Sequence, residues 1–351
     1  MTKSPYFALA TALALAAPAA AQVQLNGAGA TFPYIIYQDW ILTYNQAHAD
    51  VKLNYQSIGS GGGIRQFSDN TVDFGASDAP MKDSAITAIS GNVLHIPTVL
   101  GGDVPTYNLP DVKETLRFTP DVLADIFLGK ITKWNDARLA AVNPGVKLPA
   151  VDIVVVHRSD GSGTTFIWTD YLTKVSPEWE QKVGRGTSVN WPVGLGGKGN
   201  EGVTAMVQQT PVALGYVELG YAMANHLPAG MVRNKAGKFI TPSLESITAA
   251  AAGAMRVMGP NTDFRVSITN PDGEAAYPIA SFTWFLLHKQ YTDLAKASAL
   301  VNFVWWAETA GQARAAPLGY APLPGQLRPW IEARLHTITA DGRPVWTTAA
   351  R

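Results

Sequence analysis

Apolar positions recur along this chain with two periods, and at three places the two periods meet across a glycine-rich turn. Val23 and Leu25 alternate with polar neighbours as in a strand; beyond "NGAGATFP", Ile36, Trp40 and Tyr44 fall four apart on one helical face. Thr31 is placed to cap that helix and Pro33 suits its first turn. Val51, Leu53 and Tyr55 alternate in the same way, and Ser60-Gly61-Gly62-Gly63 leads into a short helix around Ile64 to Phe67. The third instance is "VVVHRSDGSGTTFIWTDYL", residues 154–172, where a β-branched run breaks into small polar residues and resumes as an amphipathic helix. Between the second and third, Val72, Phe74 and Ala76 alternate up to Ser77-Asp78-Ala79-Pro80. Asp78 therefore sits just past a strand, where the ligand residues of α/β sheets gather. Strands alternating with helices predict an α/β architecture.

Punctuation divides the chain further. Residues 96–112, "IPTVLGGDVPTYNLPDV", carry paired glycines and three prolines, and 260–280 are similarly broken before the apolar run "SFTWFLLHK". Two such crossings make the first domain discontinuous, built from both chain ends, with the second inserted. "TPSLESITAAAAGAM" reads as a helix capped at Thr241 with Pro242 at its first position. At the N-terminus Lys3 precedes an apolar run from Phe7 to Ala17 and a small-residue Ala19-x-Ala21 site. That pattern is a secretory signal peptide over residues 1–21, its apolar run shorter than the roughly 20 residues of a spanning helix.

Composition narrows the chemistry. The 351 residues are 47% hydrophobic and 15% charged, enough to bury two cores. Lys+Arg and Asp+Glu both number 27, so there is no broad basic field to draw the chain to nucleic acid, and any anion site must be local. Cysteine is absent, which removes disulfides and thiol nucleophiles. "DGSGTT" lacks the spacing of a nucleophile elbow, and "GLGGKGNEG" (194–202) lacks the Ser or Thr that must follow the lysine of a phosphate loop. That second stretch reads as a flexible turn opening a helix. The six histidines form no metal-binding pair, and His157 reads as packing rather than catalysis.

What remains is a set of donors. A helix start leaves amide N–H groups unpaired and carries partial positive charge, a natural seat for an anion. Thr31 with Phe32, Ser60, and Ser162-Gly163-Thr164 lie at three such starts, and glycine beside each allows close backbone approach. Arg158 adds a planar fork, which Asp160 is placed to hold. Each turn alone also reads as ordinary capping.

Taken together, "GAGATFPYIIYQDW", "NYQSIGSGGGIRQF", "VDFGASDAPM", "LGKITKWND", "HRSDGSGTTFIWTDYL", "WPVGLGGKGNEGV" and "GYVELGYA" closely resemble, in the same order, the periplasmic phosphate-binding protein of the high-affinity phosphate ABC importer. The resemblance implies a two-lobed periplasmic binding-protein fold: lobe one from 22–104 and 277–351, lobe two from 105–276, joined by two crossing strands. It implies a monomeric receptor, not an enzyme, that binds inorganic phosphate without metal or cofactor and delivers it to membrane permease subunits. By motif, Thr31, Phe32, Ser60 and Asp78 would bind from lobe one, and Arg158, Ser162, Gly163 and Thr164 from lobe two, with Asp160 holding Arg158. Asp103 departs from the family pattern near the first crossing. Asp78 makes sense beside an anion only if the ligand carries a proton to donate. Fully ionised sulfate would leave it unpaired, a loss on the order of 10⁴-fold where a site is built for that hydrogen bond. The rival readings are the same fold tuned to sulfate or molybdate, and a phosphate-ester hydrolase using Ser162 or Asp78. Export is directly checkable: N-terminal sequencing of the secreted chain is expected to return Gln22 or a near neighbour, and an intact Met1 would exclude cleavage.

Overall fold

The structure is a computed structural model that describes residues 22–346. The signal peptide read over 1–21 lies outside the described residues. Eight strands make the main sheet and are numbered in chain order: β1 (Val23–Gly29), β2 (Val51–Ser57), β3 (Phe74–Ser77), β4 (Leu94–Tyr107), β5 (Val154–Arg158), β6 (Leu195–Gly197), β7 (Ala213–Glu218) and β8 (Ala280–Leu287). In space they run β2-β1-β3-β8-β4-β7-β5-β6. β1 is parallel to β2 and β3, and β5 is parallel to β6 and β7, so each side of the sheet carries a parallel set. β8 and β4 are antiparallel to their neighbours and connect the two sets. This is the two-lobed α/β fold expected from the motifs.

β4 belongs to both lobes. Its residues from Leu94 to Gly102 pair with β8, and from Asp103 to Tyr107 with β7. All of β4 is buried. Proline normally avoids a sheet interior because it cannot donate. Here Pro97 coincides with a register shift opposite Thr283 and Trp284, a bulge that absorbs the missing N–H.

Four helices follow strands directly: α1 (Tyr34–Ala47), α2 (Ser60–Ser68), α3 (Gly163–Val175) and α4 (Gly199–Gln209). α1 buries Ile36, Tyr37, Trp40, Ile41 and Tyr44, the face read from the sequence. Tyr37 lies 4.4 Å from Phe285 of β8, and Trp40 Nε1 donates to the Gly311 carbonyl at 2.8 Å. In the other lobe Trp168 of α3 stacks on Tyr216 of β7 at 4.9 Å. Burying each such ring stabilises its lobe by about 2 kcal/mol. His157 stacks on Trp191 at 4.8 Å, the packing role expected of it.

Several local expectations are corrected. Pro33 occupies the cap position of α1 with no side-chain cap, so the Thr31 hydroxyl is free for other work. "GLGG" is not a flexible turn: Leu195–Gly197 joins the sheet edge beside β5, and Lys198 alone separates it from α4. α5 (Leu244–Ala251) is capped by Ser243 rather than Thr241. Ser243 and Ser246 cap one another reciprocally, and the Thr241 carbonyl accepts from Ser246 Oγ at 2.9 Å, which outcompetes the proline signal.

α2 begins at Ser60 itself, its glycines forming the first turn instead of leading up to it. Close approach explains this: a Cβ on Gly63 would stand 2.4 Å from Gly29 Cα and 2.7 Å from the Ala76 carbonyl oxygen. Gly→Ala inside a helix ordinarily stabilises by roughly 0.5–1 kcal/mol. For Gly63→Ala the sign is expected to reverse, with a loss of about 1–3 kcal/mol from overpacking against backbone, measured by urea unfolding; a stabilised variant would show that α2 has room to move.

Candidate functional site

The carboxyl ends of five parallel strands open onto one crevice. β1 leads to Thr31 and Phe32, β2 to Ser60, β3 to Asp78, β5 to Arg158 through Thr164, and β6 to Gly199 and Asn200. Ligands of open α/β sheets bind at such ends.

Arg158 is buried. Its Nε donates to Asp160 Oδ1 at 2.8 Å and its Nη2 to Oδ2 at 2.6 Å, while Nη1 donates to Thr164 Oγ1 at 3.2 Å. The Gly199 N–H, at the start of α4, also donates to Asp160 Oδ1, at 3.0 Å. Burial pushes the Asp160 carboxyl up, but the Arg158 fork, its charge and the Gly199 N–H together hold it below the ordinary carboxylate value. Asp160 thus orients the guanidinium and neutralises it, while leaving guanidinium N–H groups without a protein acceptor among the described residues.

Asp78 is the opposite case. Thr283 Oγ1 donates to its Oδ1 at 2.7 Å and Ser60 Oγ to its Oδ2 at 3.2 Å, while the Asp78 N–H donates back to Ser60 Oγ at 3.1 Å. Burial nevertheless dominates. It pushes the carboxyl from 3.8 up to about 7, against the Thr283 and Ser60 hydrogen bonds and the Arg158 charge. Asp78 is therefore a proton acceptor poised near neutrality, surrounded by donors.

All eight positions singled out in the sequence meet here. Gly163, the first residue of α3, lies so close to the other lobe that a Cβ would stand 2.4 Å from both Asp78 Oδ2 and Ser60 Oγ. Ser162 caps α3, its Oγ accepting from the Thr165 N–H at 2.9 Å, so its hydroxyl proton remains to be given. Phe32 is fully buried and its carbonyl accepts from Tyr320 at 2.7 Å, leaving its N–H without an acceptor among the described residues. Thr31 and Thr164 are joined through Asn200, whose Nδ2 donates to both hydroxyl oxygens, at 2.8 and 2.9 Å. With their oxygens accepting, both threonines keep a proton to donate.

Asn200 was missed in the sequence. The signal was the "GKGNEG" stretch, where the glycines around Asn200 allow the start of α4 to approach two other loops. Thr283 was also missed; a hydroxyl inside the otherwise apolar "SFTWFLL" run marks it. The crevice is closed: the Gly61 N–H donates to the Gly161 carbonyl at 2.9 Å, Ser57 Oγ to Glu201 at 3.1 Å, and Tyr221 OH to the Thr31 carbonyl at 2.7 Å. Donors from two helix starts, the three hydroxyls of Thr31, Ser162 and Thr164 and one guanidinium around a single carboxyl suit a small oxyanion that carries a proton.

A two-lobed α/β fold with this crevice defines a class of binding proteins, and a family model described as the PBP superfamily domain matches residues 16–306. The phosphate-binding protein PstS of Xylella fastidiosa is 49% identical over 312 residues, 89% of this chain and 84% of that one. PstS of Pasteurella multocida is 46% identical over 325 residues, 92% of this chain and 93% of its own. The chain belongs to the family of PstS phosphate-binding proteins within that superfamily. Among solved structures, the phosphate-binding protein from Stenotrophomonas maltophilia superposes with a TM-score of 0.68 at 18% identity, covering 91% of this chain and 96% of that one, a likeness of fold.

The Asp78 environment has a consequence for stability. Its proton is held more tightly folded than unfolded, so the neutral form's contribution is complete below about pH 4 and is lost as pH rises through about 7. Asp78→Asn is expected to flatten that decline in the ligand-free protein, by as much as about 4 kcal/mol across the interval. Urea unfolding of both proteins at stepped pH measures it; parallel profiles would show that Asp78 does not carry the titration.

Proposed function

We propose that this protein is a periplasmic receptor that binds inorganic phosphate between its lobes and hands it to the permease subunits of an ABC importer. Asp78 carries the reading: a buried carboxyl that takes a proton near neutral pH, among groups that otherwise only donate. Hydrogen phosphate and dihydrogen phosphate both bring the proton it needs, whereas sulfate does not. The names of the curated relatives support the same ligand.

The assigned ligand groups are the Thr31, Ser162 and Thr164 hydroxyls, the Phe32 and Gly163 N–H groups, Arg158, and Asp78 as acceptor; the Ser60 hydroxyl joins them by releasing Asp78 Oδ2, to which it donates without ligand. Asp160 and Asn200 hold Arg158, Thr31 and Thr164 in place. Lobe one comprises 22–104 and 277–351 and lobe two 105–276, a division supported by the change of partner along β4 after Gly102. Ligand and closed form favour one another because each lobe supplies only part of the donor set. The receptor acts as a monomer and performs no reaction; no helix among the described residues is long and apolar enough to cross a membrane.

Titration calorimetry of protein unfolded and refolded to strip bound ligand tests this. Tight one-to-one binding of phosphate and no heat with sulfate are expected. Binding of sulfate or molybdate in place of phosphate would move the protein to another oxyanion, and phosphate release from a generic phosphomonoester would reopen hydrolysis. Arg158→Ala is expected to weaken phosphate binding roughly 100-fold or more, because the guanidinium donors are lost and the half-buried Asp160 carboxylate keeps its charge with only the Gly199 N–H to hold it. Asp78→Asn should narrow the preference for phosphate over sulfate; unaltered selectivity would remove Asp78 from the site.

A further inference from the structure

One buried acid is used by nothing described so far. Asp103 is the first residue of β4 to pair with β7, and it stands directly opposite Glu218. Its backbone is held, the N–H donating to the Ile279 carbonyl at 2.8 Å and the carbonyl accepting from Tyr277 OH at 3.0 Å. Its side chain is not. Asp103 is fully buried, and neither carboxyl oxygen has a hydrogen-bond partner among the described residues. Glu218 is half satisfied, Oε2 accepting from the Gly220 N–H at 2.7 Å while Oε1 has no hydrogen-bond partner among the described residues. Buried polar atoms left unpaired are rare and costly, so three on facing residues of one hinge call for a physical role.

Their position supplies one. Directly opposed residues of an antiparallel pair share a sheet face, as do residues two apart along a strand. Asp103 and Glu218 therefore share a face with Gly101 and Tyr216. A Cβ on Gly101 would meet the Phe32 ring at 2.4 Å and Glu218 Oε1 at 3.2 Å. Tyr216 OH accepts from the Arg158 N–H at 3.2 Å and bonds Thr165 Oγ1 at 2.6 Å. The acid pair thus lies on the face that backs onto the anion site, between the segments that present Phe32 and Arg158.

The charges facing the pair come from several elements. Arg158 at the end of β5 is the cation, but its charge is already matched by Asp160. Asp78, beyond β3, adds a third carboxyl. The remaining titratable neighbours are tyrosines: Tyr216 on β7, Tyr277 ahead of β8, and Tyr221 and Tyr320 beside Glu218. Tyr320 gives its proton to the Phe32 carbonyl, so its oxygen is left to accept from a protonated Glu218.

We propose that Asp103, paired with Glu218, sets the pH dependence of ligand affinity: binding of the oxyanion draws a proton onto this pair, which rests on the phosphate-receptor reading above. An ionised pair would put negative charge beneath an arriving anion with no free cation to offset it, and a neutral pair would not. Burial pushes both carboxyls well above their ordinary values, in the direction this requires. By linkage, whatever makes the ionised pair repel the anion makes the bound anion raise the pair's proton affinity by the same factor. Affinity is then greatest at low pH and falls as pH rises through the ionisation of the pair in the ligand-free protein. For one linked proton the slope reaches about tenfold per pH unit.

The test is calorimetry of phosphate binding across the neutral to alkaline range, in two buffers of different ionisation enthalpy, for the wild-type chain, Asp103→Asn and Asp103→Val. Both substitutions remove an unpaired buried acid, so both variants should fold and unfold at higher temperature than the wild type at alkaline pH. The ionisation of phosphate itself is common to all three proteins and cancels in the comparison. The wild type is expected to take up more protons per phosphate than either variant, and its affinity to fall more steeply with pH, by up to about tenfold per unit. Equal proton uptake and parallel affinity profiles in the three proteins overturn the role of Asp103. A wild-type chain that binds no phosphate overturns the receptor reading instead, so the two failures are distinct.

Discussion

A buried guanidinium must be matched in charge and still have hydrogen-bond donors to offer, and the arrangement of the crevice follows from that demand on Arg158. Asp160 meets it by gripping one edge of the fork, aided by the Gly199 N–H at the start of α4. The pair is close to neutral as a unit, so an anion arriving beside it is stabilised by oriented N–H groups and helix-start dipoles rather than by excess charge. This agrees with a chain whose acidic and basic residues balance. It also explains why small hydroxyl residues and glycines crowd the loops: donors that carry no charge must come close in number.

The sheet makes those donors converge. Each parallel set ends its strands on the same side, and β4, shared by both sets, orients one against the other. The closed arrangement then depends on backbone contact, with Gly61 against Gly161 and Gly163 against Asp78 and Ser60, where any side chain would hold the lobes apart. Asn200 is the polar counterpart, tying Thr31 to Thr164 so that hydroxyls from the two lobes turn their protons inward. β4 is also where Asp103 meets Glu218 of β7, so the element that relates the lobes carries one of the two acids proposed to link ligand binding to protons.

The alternation around Val51 and Val72, the four-residue spacing of Ile36, Trp40 and Tyr44, and the broken run at 154–172 each correspond to an element of the fold, because they record burial that every strand and helix must achieve locally. The candidate donors were legible for a similar reason: a glycine beside serine or threonine after a strand has few local explanations. Errors fell where local signals competed. Thr31 looked like a cap, yet its hydroxyl is claimed by Asn200, which lies far along the chain. Thr241 and Pro242 looked like a helix start, but Ser243 and Ser246 satisfy each other more completely.

By itself, then, the sequence determined the α/β class, the strand-to-helix turns, the candidate donors and the one carboxyl proposed among them, since these rest on period, turn chemistry and residue type within short windows. Only the tertiary structure decided that β4 serves both lobes, that Asn200 and Thr283 complete the site, that burial lifts Asp78 to near neutrality, and that Asp103 lies unpaired against Glu218. Those are properties of contacts between segments tens to hundreds of residues apart, and of the low-dielectric interior they create together, neither of which is written in any local pattern.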